Sequence, residues 1–231
     1  MAFSKEWEEV YQNQNHLSIW PWSDVVSYVK RHTNASGSDF KVLELGCGAG
    51  ANIPFFKSLN VEYHAIDGSP SIVEKLHTQF PEYKNNIQIG DFTKLDFGKN
   101  KYDLILDRAS ITHNTTRAIN ECLANVYKAL KNKGTYIGID WFSSAHSDFN
   151  KGSLLENDLY TKTGFTEGQF SGLGNVHFSD KDHLMKLFSA FEIKVLEHKV
   201  SNFELPKQHQ FASWNIVATK VENSLLGEIL V

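Results

Sequence analysis

The sequence predicts a three-layer α/β/α fold in which a parallel sheet carries helices on both faces. Three observations lead there. Apolar runs of strand length alternate with amphipathic helical patterns over residues 38–141, as expected of a parallel sheet. The first run ends in Gly46-Cys47-Gly48-Ala49-Gly50, a strand feeding a tight loop. Later runs end in carboxylates: Asp67, Asp91, Asp107 and Asp140.

Residues 1–34 read as a helical lead-in. A short helix over 5–13 puts Trp7 and Val10/Tyr11 on one face, and Asn13-Gln14-Asn15-His16 interrupts it. Trp20-Pro21-Trp22 opens a second helix, since proline is tolerated in a first turn; Val25, Val26, Tyr28 and Val29 form its apolar stripe. A turn cluster at 34–39 precedes the core over 38–141.

In the core, strands are expected at 40–45, 61–66, 87–89, 102–106 and 135–141. Helices are expected at 51–58, at 71–79 behind Pro70, and at 116–131. In the last of these, Ile119, Cys122, Leu123, Val126, Tyr127 and Leu130 recur at helical spacing before Asn132-Lys133-Gly134. Periodicity is lost over 142–179, a segment rich in Ser, Gly and Phe. A connection this long is functional or disordered, and Phe142, Phe149, Phe165, Phe170 and Phe178 argue against disorder. A helix at 180–190 and strands at 191–198 and 211–219 make up the segment 180–220; the tail 221–231 reads as a short amphipathic helix or a frayed end. The whole is expected to be a single domain over 1–231.

Composition narrows the function classes. The chain has 231 residues, 41% hydrophobic and 22% charged, with net charge -4 and no basic run. This argues against nucleic acid as a partner. Cys47 and Cys122 lie far apart and form neither a disulfide framework nor a zinc set. The start lacks the apolar core of a signal peptide, and no run approaches the roughly 20 apolar residues that span a bilayer. A cytoplasmic location with no membrane partner is the expectation.

The glycine loop carries the chemistry. Glycine lets backbone approach a ligand closely and adopt positive φ. Glu44 stands two residues before the first glycine, which suits a ligand bearing hydroxyls, positive charge and a nucleotide part. Gly46-x-Gly48-x-x-Ala51 also satisfies a dinucleotide fingerprint. A dehydrogenase, however, requires neither Gly50 nor the acid at Glu44, nor the Asp91-Phe92 pair. Ligands of open α/β sheets bind outside the carboxyl ends of the strands, so the strand-end acids would line one edge beside the loop. Asp67 there would accept from ribose hydroxyls, as acids do in dinucleotide folds.

With Glu44-Leu45-Gly46-Cys47-Gly48-Ala49-Gly50, Asp67-Gly68-Ser69, Gly90-Asp91-Phe92 and Tyr102-Asp103-Leu104-Ile105-Leu106-Asp107 in this order, the chain resembles the class I S-adenosylmethionine-dependent methyltransferases. The resemblance is close over 38–141 and extends to the remainder in outline. It implies a Rossmann-like, seven-stranded, mostly parallel sheet with the last strand antiparallel, and the count of strand candidates agrees. It implies S-adenosyl-L-methionine as cofactor. The backbone at 46–50, with Gly46, Cys47, Gly48 and Gly50, would approach the methionine and ribose portions, and Glu44 would support the loop and the cofactor's amino group. Asp67, beside Gly68 and Ser69, would bind both ribose hydroxyls. Asp91 would accept from the adenine amine, with Phe92 packed near the ring. Asp107 and Ala109 would lie beside the methionyl moiety, and Asn52 would be a further contact.

Methyl transfer requires an aligned acceptor and exclusion of water, and a hydroxyl acceptor gains from a base. His113, just past the fourth strand, is the leading candidate for that base; His146, Asp148 and His177 rank below it. Metal-dependent relatives use Asp and Asn oxygens, but Asp107, Asn114 and Asp140 lack a recognised spacing, so no metal is expected. The Asn/Asp-Pro-Pro-aromatic motif of base and amide methylation is absent, Asp107-Arg108-Ala109-Ser110 standing in its place. The acceptor is expected to be a small molecule under a cap made by 1–33 and 142–179, touching Trp20, Trp141 and His146. An oxygen of a glycan or nucleotide-linked precursor is the reading favoured here. The alternatives are a small-molecule N-methyltransferase and a non-catalytic binding module. Monomer and homodimer are equally compatible with the sequence.

Overall fold

The computed structural model describes residues 5–13 and 17–221. Of the tail expected at 221–231 all but Val221, and of the interruption at 13–16 all but Asn13, lie outside the described residues, as does the Val10 side chain. The elements are α1 (Lys5–Gln12), α2 (Ser23–His32), β1 (Lys41–Leu45), α3 (Ile53–Ser58), β2 (Glu62–Asp67), α4 (Pro70–Gln79), β3 (Ile87–Ile89), β4 (Tyr102–Arg108), α5 (Thr116–Ala129) and β5 (Leu130–Phe142). β6 (Ser153–Leu155), β7 (Asp158–Thr163), β8 (Val176–His177), α6 (Lys181–Leu187), β9 (Phe191–Phe203) and β10 (His209–Lys220) follow.

Seven strands form one sheet in the order β3-β2-β1-β4-β5-β10-β9. β1 pairs in parallel with β2 and β4, β2 with β3, and β4 with β5. The final strand, β10, runs antiparallel to both β5 and β9. This is the Rossmann-like sheet of the expectation, with its last strand reversed. Strand order reverses between β1 and β4, and the crevice at such a switch point is where α/β sheets bind ligands.

Alternation along the strands divides the core into two layers. Val42, Leu104, Leu106, Ile137 and Ile139 pack with α2, α3 and α4 through Val25, Tyr28, Val29, Ile53, Phe56, Ile72, Val73 and Leu76. Leu43, Leu45, Ile105 and Tyr136 pack on the other side with Ile119, Cys122, Leu123 and Val126 of α5, with Leu184 and Leu187 of α6 and with Phe188 just beyond it. Side-chain oxygens that accept a backbone N–H start three helices: Ser69 for α4, Thr115 for α5 and Asp180 for α6, each a typical N-cap residue.

Several boundaries differ from expectation. α5 stops at Ala129, because Leu130 turns to extended backbone (ψ 138°) and begins β5. β9 and β10 form a hairpin longer than the apolar pattern, reaching Phe203 and His209. Its outer part is exposed on both faces, with Val200, Phe203 and Leu205 among polar residues, so no run of apolar residues marks it. The segment 142–179 is ordered by a three-stranded sheet, β6-β7-β8, over a cluster of Phe142, Phe165, Phe170, Leu173, Val176 and Phe178.

β5 contains a bulge. Trp141 pairs with Trp214 and Gly138 with Ile216, so three steps on β5 face two on β10. Asp140 lies within this stretch at φ +56°, the left-handed region that Asp tolerates better than most residues. An extra residue of this kind re-aims the side chains beyond it.

Candidate functional site

A cavity of about 390 Å³ opens at the carboxyl ends of β1 and β4. One half of its wall is the glycine loop and the strand-end acids. The other half is aromatic and comes from α1, the approach to α2, the insertion and β10.

The loop half is built by backbone demand. Gly46 has φ +69°, and a Cβ there would lie 2.3 Å from the Ser110 Cβ. Its N–H donates to the Ile66 carbonyl at 2.7 Å, tying the loop to β2. Gly48, at φ +51°, donates its N–H to Asp67 Oδ2 at 2.8 Å. Asp67 Oδ1 accepts from Ser69 N–H at 3.0 Å. Burial pushes the Asp67 carboxyl up to about 6, against the pull of these bonds.

Glu44 is buried, accepting from Asn52 Nδ2 at 2.8 Å and from the Tyr63 hydroxyl at 2.6 Å. Burial raises its pKa to about 7 despite these donors. Asn52 in turn accepts from Trp22 N–H at 3.3 Å, joining β1 to the start of α2. Asp91 accepts from the N–H and hydroxyl of Thr93 at 3.0 and 2.6 Å, and Phe92 lies beside it on the wall. α1 closes the cavity from above: Glu8 bonds the Ser69 hydroxyl, and the Tyr11 hydroxyl would stand 3.1 Å from a Cβ at Gly48.

Of the predicted cofactor residues, Glu44, Gly46, Cys47, Gly48, Asn52, Asp67, Gly68, Asp91, Phe92 and Ala109 line the cavity. Three stand behind it. Gly50 packs inward, where a Cβ would meet Leu76 and Ile53 at 2.6 and 2.9 Å. Ser69 is fully buried as the cap of α4. Asp107 is fully buried and acts as a strut. It accepts from the N–H groups of Ser110 and Ile111 at 3.0 and 2.9 Å and from Trp141 Nε1 at 2.7 Å, and burial holds its carboxyl above the usual range. Its contact with the cavity is therefore indirect, through the Ala109–Ser110 turn that it shapes.

His113 lines the cavity. Its ring packs edge-on to Trp7 and Phe142, with centroids at 5.0 and 5.7 Å. Nδ1 lies 3.2 Å from the Asn175 carbonyl, an acceptor that requires the hydrogen on Nδ1.

The three predicted acceptor contacts lie elsewhere. Trp20 is 77% exposed, and its neighbour Trp22 is on the wall instead. Trp141 is fully buried, donating to Asp107 and packing on Phe188; the Asp140 bulge turns it into the core. His146 sits one layer behind the wall among Phe142, Phe170, Phe178 and Phe211, and burial depresses its pKa to about 4. The lower-ranked Asp148 and His177 are also buried away from the cavity: Asp148 pairs with Lys151 at 2.6 Å, and His177 bonds His183 at 3.0 Å. Among the described residues no three His, Cys, Asp or Glu side chains converge on a metal-sized site, and no helix is long and apolar enough to cross a membrane.

Arg108, Gln169, Leu173 and Phe211 also line the cavity and were not singled out from sequence. The signal for Arg108 was present, since it follows Asp107 at the end of a strand whose tip faces the ligand edge. Phe211 carried none, because an apolar residue in a final strand reads as core.

S-adenosylmethionine fits these residues. The buried Asp67 carboxylate and the half-buried Asp91 carboxylate stand on the wall as acceptors, as a ligand with hydroxyls and an amine would need, and Gly48, at φ +51°, brings backbone to the same wall. The acids Glu44, Asp67, Asp91 and Asp140 also match a ligand with two positive centres.

Residues 42–134 match the family model described as a methyltransferase domain. No curated protein matches the chain. Among solved structures, a SAM-dependent methyltransferase from Methanosarcina mazei is 16% identical, with 87% of this chain and 99% of that chain aligned at a TM-score of 0.66. TehB from Haemophilus influenzae is 16% identical over 92% of this chain and 67% of that one, with TM-score 0.61. The 1,6-didemethyltoxoflavin-N1-methyltransferase of Burkholderia thailandensis, solved with 1,6-didemethyltoxoflavin and S-adenosylhomocysteine, is 15% identical over 94% and 85%, with TM-score 0.63. At these identities the structural likenesses carry the fold.

Proposed function

We propose that this chain is a class I S-adenosylmethionine-dependent methyltransferase, as its methyltransferase-domain match and sheet support, and that it methylates an oxygen of a small molecule held in the aromatic half of the cavity. The observation that carries the reading is His113, which stands on the same cavity wall as the glycine loop with its Nδ1 hydrogen committed to a backbone carbonyl.

When bound, the cofactor supplies a methyl group on a positively charged sulfur, already activated for displacement. The protein's share is binding, alignment and dryness. Asp67 holds the ribose hydroxyls, Asp91 the adenine amine and Phe92 the adenine face. Glu44 and the backbone at 46–48 hold the methionyl portion. Trp7, Tyr11, Trp22, Phe142, Phe170, Leu173 and Phe211 form the dry walls, and such walls with few polar handles suit a small molecule. Asn114 and Gln169 are the neutral handles. His113 Nε2 takes the hydroxyl proton as the new bond forms. A glycan or nucleotide-linked precursor remains the acceptor class to try first.

The test begins with methyl-tritiated S-adenosylmethionine and a small-molecule extract, to find the labelled product. With that acceptor, His113→Ala should lower kcat by about 10²–10⁴-fold while leaving S-adenosylhomocysteine affinity within about twofold. Wild-type turnover in His113→Ala would remove the base, and a labelled nitrogen in the product would replace the oxygen reading.

A further inference from the structure

His113 is oriented by two stretches of chain that are 62 residues apart. One is the turn after β4, which carries the ring. The other is Asn175, whose carbonyl receives the Nδ1 hydrogen. Asn175 directly precedes β8, a strand of two residues that pairs Val176 with Lys162 and His177 with Thr161 of β7. Isolated ribbons this short are marginally stable. A ring placed by such a ribbon needs a further anchor to keep one orientation.

The anchor is the Asp158 carboxylate at the start of β7. Oδ1 accepts from the Thr116 hydroxyl at 2.6 Å and from the N–H groups of Tyr160 and Thr161, both at 3.1 Å. Oδ2 accepts from Thr116 N–H and from the Thr161 hydroxyl, both at 2.8 Å. Thr116 is the first residue of α5, just past the His113 turn, while Tyr160 and Thr161 belong to β7. Burial pushes this carboxyl up, but the donors outweigh it and hold the pKa at about 2. The group therefore stays charged, and hydrogen bonds to a charged acceptor are the strong kind.

The brace continues into β8. The Thr161 hydroxyl has a single hydrogen, and the carboxylate, an acceptor only, takes it. His177 Nδ1, 3.1 Å from the same oxygen, is then the donor to Thr161. That leaves His177 Nε2 to accept from His183 Nε2 of α6 at 3.0 Å. Burial lowers the two rings to about 3 and about 4, so both stay neutral and the pattern runs in one direction. β8 is thus pinned through His177 to both β7 and α6, with Asn175 beside the pinned pair. Asp158, Thr161 and His177 all lie off the cavity wall, so any influence on chemistry passes through the turn they hold.

We propose that Asp158 is a positioning residue for methyl transfer: it clamps β7 and β8 to the turn that carries His113, so that the Asn175 carbonyl holds the imidazole in its Nδ1–H form. The proposal rests on the reading of His113 as the base, and it extends the machinery to residues that touch neither cofactor nor acceptor.

The test gives Asp158→Ala two readouts. The first is nuclear magnetic resonance of protein labelled in the histidine ring nitrogens, at pH about 8.5, above the ordinary imidazole range. The His113 signals are those lost in His113→Ala. The wild-type ring should carry its hydrogen on Nδ1, and Asp158→Ala should divide it between Nδ1 and Nε2. The second readout is turnover with the acceptor found by the labelling experiment. Asp158→Ala should lower kcat by about ten- to a hundredfold, the scale of a misplaced catalytic group, with S-adenosylhomocysteine affinity within about twofold by calorimetry. In a His113→Ala background the same change should cost less than about twofold, because the ring it acts through is gone. If circular dichroism shows Asp158→Ala misfolded, Thr161→Val carries the same measurements, and Thr161→Ser should restore the wild-type values. The proposal is overturned if the wild-type hydrogen sits on Nε2, if the variant leaves the tautomer unchanged, or if kcat falls by the same factor with and without His113. A slow His113→Ala beside a fully active Asp158→Ala strikes this proposal alone. Wild-type turnover in His113→Ala strikes the base reading, and the proposal falls with it.

Discussion

The two halves of the cavity are made in opposite ways. On the loop side, each polar side chain is held by its neighbours in sequence or by an adjacent strand end. Asp67 is fixed by Gly48 and Ser69, Glu44 by Asn52 and Tyr63, and Asp91 by Thr93. On the aromatic side, the wall draws on α1 and the approach to α2, on the insertion and on β10, three regions far apart in sequence. The first half is a motif; the second is an assembly. A motif fixes what is bound through backbone geometry. An assembly can change its occupant by changing single side chains without disturbing the loop, which is how one fold comes to host many acceptors.

If the halves are separable, damage to one should leave the other working. Phe170 is 1% exposed and packs on Phe142, Phe165, Phe178 and His146. Phe170→Ala should cost about 3–5 kcal/mol in that cluster, raising hydrogen exchange over 153–178 while S-adenosylhomocysteine affinity stays within about threefold. Equal loss of cofactor binding would show that the insertion and the loop fold as one unit.

A smaller effect probes the loop half. The Asp67 carboxyl titrates near 6 because it is buried, and donation by ribose hydroxyls favours its charged form. S-adenosylhomocysteine affinity should therefore fall as pH drops from 7 to 5, by up to about tenfold per unit below the pKa. Glu44 titrates close by, near 7, so the Asp67 share is the part of the pH dependence that Asp67→Asn removes. An unchanged pH profile in that variant would take the ribose role from Asp67. The smallest effect concerns the rim: Trp20 is 77% exposed, and Trp20→Ala should change stability by less than about 0.5 kcal/mol and leave acceptor KM unchanged. A raised KM would extend the aromatic half outward.

The same contrast explains what the sequence disclosed. The strands, the loop and the strand-end acids were legible because each is a local pattern with a local cause: alternation, positive φ, or a carboxylate beside backbone N–H groups. Ser69, Gly50 and Asp107 were legible as motif members, but which of them meets the ligand and which props the motif depends on packing. The insertion was illegible because its strands are short and its order comes from rings contributed by the turns at 165–173. Trp141 was misplaced because nothing in its local sequence marks the break in alternation at position 140.

That one extra residue in β5 works as a parity switch. Beyond it, inside and outside exchange. An uninterrupted strand would send Trp141 toward the layer of Ile137 and Ile139 and withdraw Asp107's indole donor. It would also change the direction of the carboxylate that braces Arg108. A single insertion thus decides which core layer receives the indole and how the Asp140 carboxylate meets its guanidinium. Among proteins sharing this sheet, the length of β5 before its final aromatic should therefore track the polarity of the cavity mouth.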